Sequence, residues 1–187
     1  MIQYVNQGTL PEQYQKTGCG FACTLMTLRH YGKEVTPEEV IDRIVSRNGY
    51  LEGVGCRHAI IARTLVDYGI PAYNQEFTPP TANEYEMHMR GAEKIVKWAQ
   101  INSHFLVIAS VNRLAKNNDH VGTDRRRGGH LVLIHQAVAR STDWKKSHLH
   151  LCDPDYSLPH KQRVSDTSLT FEEFVDVWRG LAIFIGA

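Results

Sequence analysis

The sequence predicts an α+β fold in which helices come first and an antiparallel sheet follows. Apolar residues recur at helical spacing through about Ile101. Beyond it, runs of strand length take over: HFLVIASV from His104, HLVLIHQAVA from His130 and HLHLC from His148. Helices and strands are segregated rather than alternating, which argues against βαβ units and hence against a parallel sheet.

The elements follow in order. From Gly20 to Tyr31, Phe21, Leu25 and Leu28 lie near one stripe with the Tyr31 ring a turn on, and Gly32 acts as a stop. Thr36-Pro37-Glu38-Glu39 is a capping box with proline at the first helical position, and Val40, Ile41 and Ile44 give the helix behind it an apolar face. A third helix is expected from about Arg57 to Tyr68, ended by Gly69. Pro71 to Phe77 reads as extended, Pro79-Pro80 breaks it, and Thr81 to Ile101 reads as a longer, more polar helix. The longest loop spans Asn112 to Gly129. Thr170-Phe171-Glu172-Glu173 is a second capping box, opening a helix through Trp178 that Gly180 ends, and LAIFI forms the last strand. A single domain over 1–187 is expected, with 1–101 mostly a helical lobe and 102–187 mostly a sheet lobe.

Composition narrows the function classes. Apolar residues make up 42% of the chain, enough for one sizeable core. Lysine plus arginine number 21 against 20 aspartates and glutamates, so no overall field favours nucleic acid or an anionic membrane. The start, MIQYVNQGTLPEQYQ, has no basic cluster followed by an apolar run, and no apolar stretch reaches the roughly eighteen residues of a membrane span. A cytoplasmic location is expected, with leaderless secretion left open. The cysteines at 19, 23, 56 and 152 are too few for a disulfide scaffold of this length and suit reduced thiols.

Cys19 stands between Gly18 and Gly20 where the first helix begins. Free N–H groups and the helix dipole favour a thiolate there, and can supply half of an oxyanion hole. The flanking glycines are read as leaving the sulfur open to a substrate carbonyl. Two other readings stand beside the nucleophile: a small core thiol, or a metal site in which Cys19 and Cys23 join Cys56 and His58.

A nucleophilic cysteine needs a base and an orienting group. If HLVLIHQAVA and HLHLCDPD form a hairpin turning near Thr142, His130 lies opposite 153 or 154, beside Asp153. Both residues then sit at one rim of the sheet. His135 is mid-strand, on the face opposite His130 by parity. His148 and His150 suit a solvated strand face, and His30 is too far along its helix to meet Cys19. An oxyanion also needs a second donor, for which Gln13 and Gln15 are candidates.

A glutamine six residues before the cysteine, CGFAC opening a helix that ends in YG, GGHLVLI and LCDP together resemble the papain-like bacteriocin-processing (double-glycine leader) peptidases and their stand-alone relatives. The likeness covers the start of the chain to about Tyr31 and then Gly128 to Trp178. It implies a papain-like fold and a cysteine peptidase with Cys19 as nucleophile, His130 as base, Asp153 as its orienter and Gln13, selected over Gln15 by spacing, as oxyanion donor. The implied partner is a peptide or protein substrate with small residues at the cleavage site, and no cofactor or metal is called for. Two positions depart from the pattern: Phe21 stands where relatives often carry proline or a small residue, and Gly18 where an acidic residue is common. Both bear on the shape of the site near the sulfur. The same catalytic set would serve acyl transfer or amidase action on a non-peptide amide, and a silent peptide-binding module of this fold is the alternative to an enzyme. Arg125, Arg126 and Arg127 precede His130 in the long loop, where they could meet an acidic or C-terminal carboxylate; a solvated loop is the simpler reading.

Overall fold

A computed structural model describes residues 2–77, 84–101, 103–112, 129–139, 143–154 and 167–186. Three helices come first: α1 (Cys19–His30), α2 (Pro37–Val45) and α3 (His58–Asp67). A short hairpin, β1 (Tyr50–Leu51) with β2 (Gly55–Cys56), separates α2 from α3. β3 (Ala72–Glu76) and α4 (Glu84–Ile101) follow, then β4 (Leu106–Val111), β5 (His130–Ala139), β6 (Ser147–Cys152), β7 (Thr167–Thr170), α5 (Phe171–Val177) and β8 (Trp178–Ile185). The main sheet has the order β3-β8-β4-β5-β6-β7, and every neighbouring pair is antiparallel.

The capping boxes form at both predicted places. The Thr36 hydroxyl accepts from the Glu39 N–H while the Glu39 carboxylate accepts from the Thr36 N–H, and Thr170 with Glu173 does the same for α5. The end of α5 differs from expectation. The helix stops at Val177, and Trp178 already belongs to β8, with Gly180 inside that strand at φ 77°. A glycine in the left-handed region can bend a strand as well as end a helix, and β8 is irregular against β4 just there, between Ala109 and Val111.

The sheet carries helices on both faces. Leu106, Ile108, Leu131, Leu133, Ile183 and Ile185 pack with α1, α2 and α3, whereas Val107, Ala109, Val132, Ile134, Ala182 and Phe184 pack with α4 and α5. Alternate residues of each central strand therefore enter different cores, and all six residues of β4 are buried. The helix α1 is enclosed on all sides, not along one stripe: each residue from Cys19 to Leu28 is buried. Its two inward threonines bond the carbonyls one turn back, Thr24 to Gly20 and Thr27 to Cys23, which satisfies their hydroxyls without a polar neighbour. No helix among the described residues is long and apolar enough to cross a membrane.

One irregularity decides where the rim residues point. Near the turn, β5 and β6 pair as Gln136 with His150 and Ala137 with Leu149; nearer the rim they pair as Ile134 with Leu151 and Leu133 with Cys152. One extra residue, His135, is therefore inserted in β5 as a bulge. The next position in this register sets Val132 opposite Asp153, on the same face as His130. Without the bulge, Leu133 would stand opposite Asp153 and the carboxylate would belong to the other face. The expectation of a directly opposed His130–Asp153 pair is thus replaced by a diagonal one.

Candidate active site

Cys19 is the first residue of α1, and Gly18 caps that helix without any side-chain hydrogen bond. Of the first-turn N–H groups, that of Phe21 donates to the Cys56 sulfur, and the helix head still favours an anion at Cys19. The flanking glycines do not hold the approach open, as their spacing suggested. A Cβ on Gly18 would overlap the Tyr14 carbonyl and Leu10, and one on Gly20 would lie 2.6 Å from the Cys56 Cβ and 2.8 Å from its sulfur. Both glycines let chain segments pack tightly around the thiol. Phe21 also turns away from the site: it is fully buried, with ring centroids 5.1 Å from Tyr14 and 5.3 Å from Tyr50.

His130 opens β5, and its Nε2–H donates to Asp153 Oδ1 at 2.6 Å. The second ring nitrogen, Nδ1, is then the one left for the hydrogen bond that His130 shares with Cys19. Burial disfavours the charged ring, but the hydrogen bonds to Asp153 and Cys19 and their charges outweigh it and raise the His130 pKa to about 10. Cys19, His130 and Asp153 are only 7%, 7% and 6% exposed, so the three groups interact largely away from water.

The carboxylate is held from behind by a segment with no sequence signal. The Tyr4 hydroxyl donates to the Asp153 carbonyl at 2.8 Å, and the Gln7 N–H donates to the Pro154 carbonyl at 2.8 Å. Gln7 is itself buried, and its Nε2 donates to the Gln15 carbonyl. The N-terminal strap thus ties the Asp153–Pro154 corner to the turn that carries the candidate oxyanion donors. The two contacts to the Asp153–Pro154 corner span over a hundred positions, which is why spacing could not suggest them.

Of the two glutamines, Gln15 is engaged: its Nε2 donates to the Leu10 carbonyl at 3.0 Å. Gln13 lies exposed in a single 3-10 turn, Glu12–Tyr14, and makes no hydrogen bond among the described residues. Cys23 is fully buried with its thiol against the Leu131 carbonyl at 3.5 Å, which seats α1 on the start of β5, and burial above all pushes its pKa well up. Cys56 is half-buried, and burial followed by the nearby Cys19 sulfur raises its pKa as well. No group of three or more His, Cys, Asp or Glu among the described residues is arranged to hold a metal ion. The arginine run 125–127 lies outside the described residues.

A thiol at a helix head beside a histidine–aspartate pair, on a papain-like fold, defines a cysteine peptidase. The family model described as the Peptidase_C39-like family matches residues 1–182, and the chain belongs to that family. Among the solved structures similar to it are two whose match covers the whole of this chain. One is a double glycine motif protease from an AMS/PCAT transporter in complex with the leader peptide, 18% identical with a TM-score of 0.58, the match covering 100% of this chain and 93% of that one. The other is the peptidase domain of Streptococcus ComA, a bi-functional ABC transporter involved in a quorum sensing pathway. It is 15% identical with a TM-score of 0.58, and the match covers 100% of this chain and 98% of that one. No curated protein matches the chain.

The raised His130 pKa carries a stability consequence. A group whose pKa rises on folding from near 6.5 contributes stability that is complete below that value and is lost as pH climbs through about 10. Asp153→Asn removes a major cause of the rise. Its destabilisation relative to the wild-type chain, read from urea midpoints, is expected to be largest near about pH 6 and to shrink towards about pH 10. A deficit that stays constant over that range would contradict the assignment.

Proposed function

We propose that the chain is a single peptidase domain over 1–187 that cleaves peptide bonds through a thioester, with Cys19 as nucleophile, His130 as general base and acid, Asp153 as its orienter and Gln13 as oxyanion donor. The observation that carries this reading is the double engagement of His130, with Asp153 on Nε2 and Cys19 on its other side. His130 shares a hydrogen bond with the Cys19 sulfur, the path by which the proton leaves the nucleophile. The thiolate attacks the scissile carbonyl carbon, and the negative charge that develops on its oxygen is met by the Cys19 N–H and the Gln13 amide. As the C–N bond breaks, His130 donates its proton to the leaving amine. It then takes a proton from water, whose oxygen attacks the thioester and returns the free acid and the thiol. Asp153 keeps the ring in the tautomer and orientation that these transfers need.

The proposed substrate class is a peptide segment ending in small residues, and a double glycine suits it best. The similar protease bound to a leader peptide supports that choice. A cleavage profile on a peptide library is the first experiment, and a peptide chosen from it serves the variants. Cys19→Ala is expected to abolish turnover and leave the melting temperature within a few degrees of wild type; retained turnover would remove Cys19 from the mechanism. Gln13→Ala is expected to lower kcat by about a hundredfold or more with a smaller change in KM, the pattern of a contact made in the transition state. An unchanged kcat would place the second oxyanion donor elsewhere.

A further inference from the structure

Arg179 is the second residue of β8, and strand alternation turns it to the face opposite Trp178, the face on which α1 and α3 pack. Its guanidinium lies against Gly129, so closely that a Cβ there would overlap Nη1. Gly129 is the residue before His130. The Arg179 side chain is half-buried and has no ion pair or hydrogen bond among the described residues. A half-buried guanidinium with no hydrogen bond among the described residues keeps donors that an incoming carboxylate would fill.

A second unsatisfied group lies within range of the Arg179 charge. His58, at the start of α3, has its Nε2 buried with no hydrogen-bond partner among the described residues. Burial, and then the nearby Arg179 charge, lower the His58 pKa, with Glu76 acting against them. Two residues earlier, Cys56 packs on Gly20, next to the nucleophile. Gly20 therefore packs on Cys56, two residues before His58, and Arg179 lies against Gly129, next to the His130 that shares a hydrogen bond with Cys19. Arg179 thus lies beside the residue that precedes His130, on the sheet face that α1 covers.

We infer that Arg179, with His58 beside it, forms a carboxylate-binding subsite, so that favoured substrates carry an acidic side chain or a free chain end within about two residues of the cleaved carbonyl. This rests on the peptidase reading above and adds a substrate class to it. A guanidinium fork matches a carboxylate in two parallel hydrogen bonds, and its place beside Gly129, one residue from His130, sets that reach.

The test uses haloacetyl reagents whose iodide is displaced by the Cys19 sulfur. Iodoacetyl-glycine is compared with iodoacetyl-glycinamide, and the α-amide of iodoacetyl-aspartate with that of iodoacetyl-asparagine. Alkylation of the full chain is followed at Cys19 by peptide mass spectrometry. In the wild-type protein at least one acid is expected to react about tenfold faster than its neutral partner, and Arg179→Gln is expected to remove the preference while Arg179→Lys keeps part of it. Preference confined to the glycine pair identifies a chain end, and preference confined to the aspartate pair identifies an acidic side chain. Equal rates within both wild-type pairs, or a preference that survives in Arg179→Gln, would overturn the subsite alone. The wild-type comparison stands even if a variant fails to fold. A Cys19 inert to all four reagents would instead remove the nucleophile, and the subsite with it.

Discussion

A histidine held as a cation inside a protein needs a fixed anion at hydrogen-bond distance, and the bond from His130 to Asp153 supplies it. Each of the two is largely out of water, and each would be costly to bury charged without the other. Much of the surrounding structure serves to keep that pair in place. The strap through Tyr4 and Gln7 fastens the backbone of the aspartate corner, and the Cys23 thiol seats α1 on the start of the histidine strand. The nucleophile comes from α1 and its base from β5, and these two elements pack directly on each other through Leu131 and Leu133.

The bulge at His135 links this chemistry to the sheet. A strand register must satisfy two cores at once, because neighbouring residues of β5 enter opposite faces. The register nearest the turn would send Asp153 to the wrong face, and a single inserted residue corrects it without disturbing the pairing on either side. A structural irregularity in mid-strand thereby sets the geometry of two residues at the rim.

Much of the fold was legible in the sequence because its signals are local. Both capping boxes, the helical periodicity and the apolar strand runs were read where they occur. The residues converging at the rim were found from an ordered set of short motifs, with the family likeness selecting among candidates. What escaped detection is non-local or unmarked. His135 carries no glycine or proline to announce a bulge. In the sequence Gly180 looks like a helix stop, because a left-handed glycine serves both ends of helices and bends in strands; in the structure it bends β8, and Arg179 is a strand residue with a defined face. Gly18 and Gly20 looked like open space around a reactive sulfur, whereas they are points of close packing against Leu10, Tyr14 and Cys56. A glycine in a sequence says that a side chain is missing, not what fills its place.

The central claim is electrostatic: His130 is a cation at neutral pH, held so by Asp153 and the sulfur. Nitrogen-15 NMR of the imidazole ring in the resting protein reads this state directly. The account predicts that the His130 ring resonances stay those of the doubly protonated ring from about pH 6 through neutrality and move only as pH approaches about 10. A ring that titrates near about 6.5, as an isolated histidine does, would contradict it.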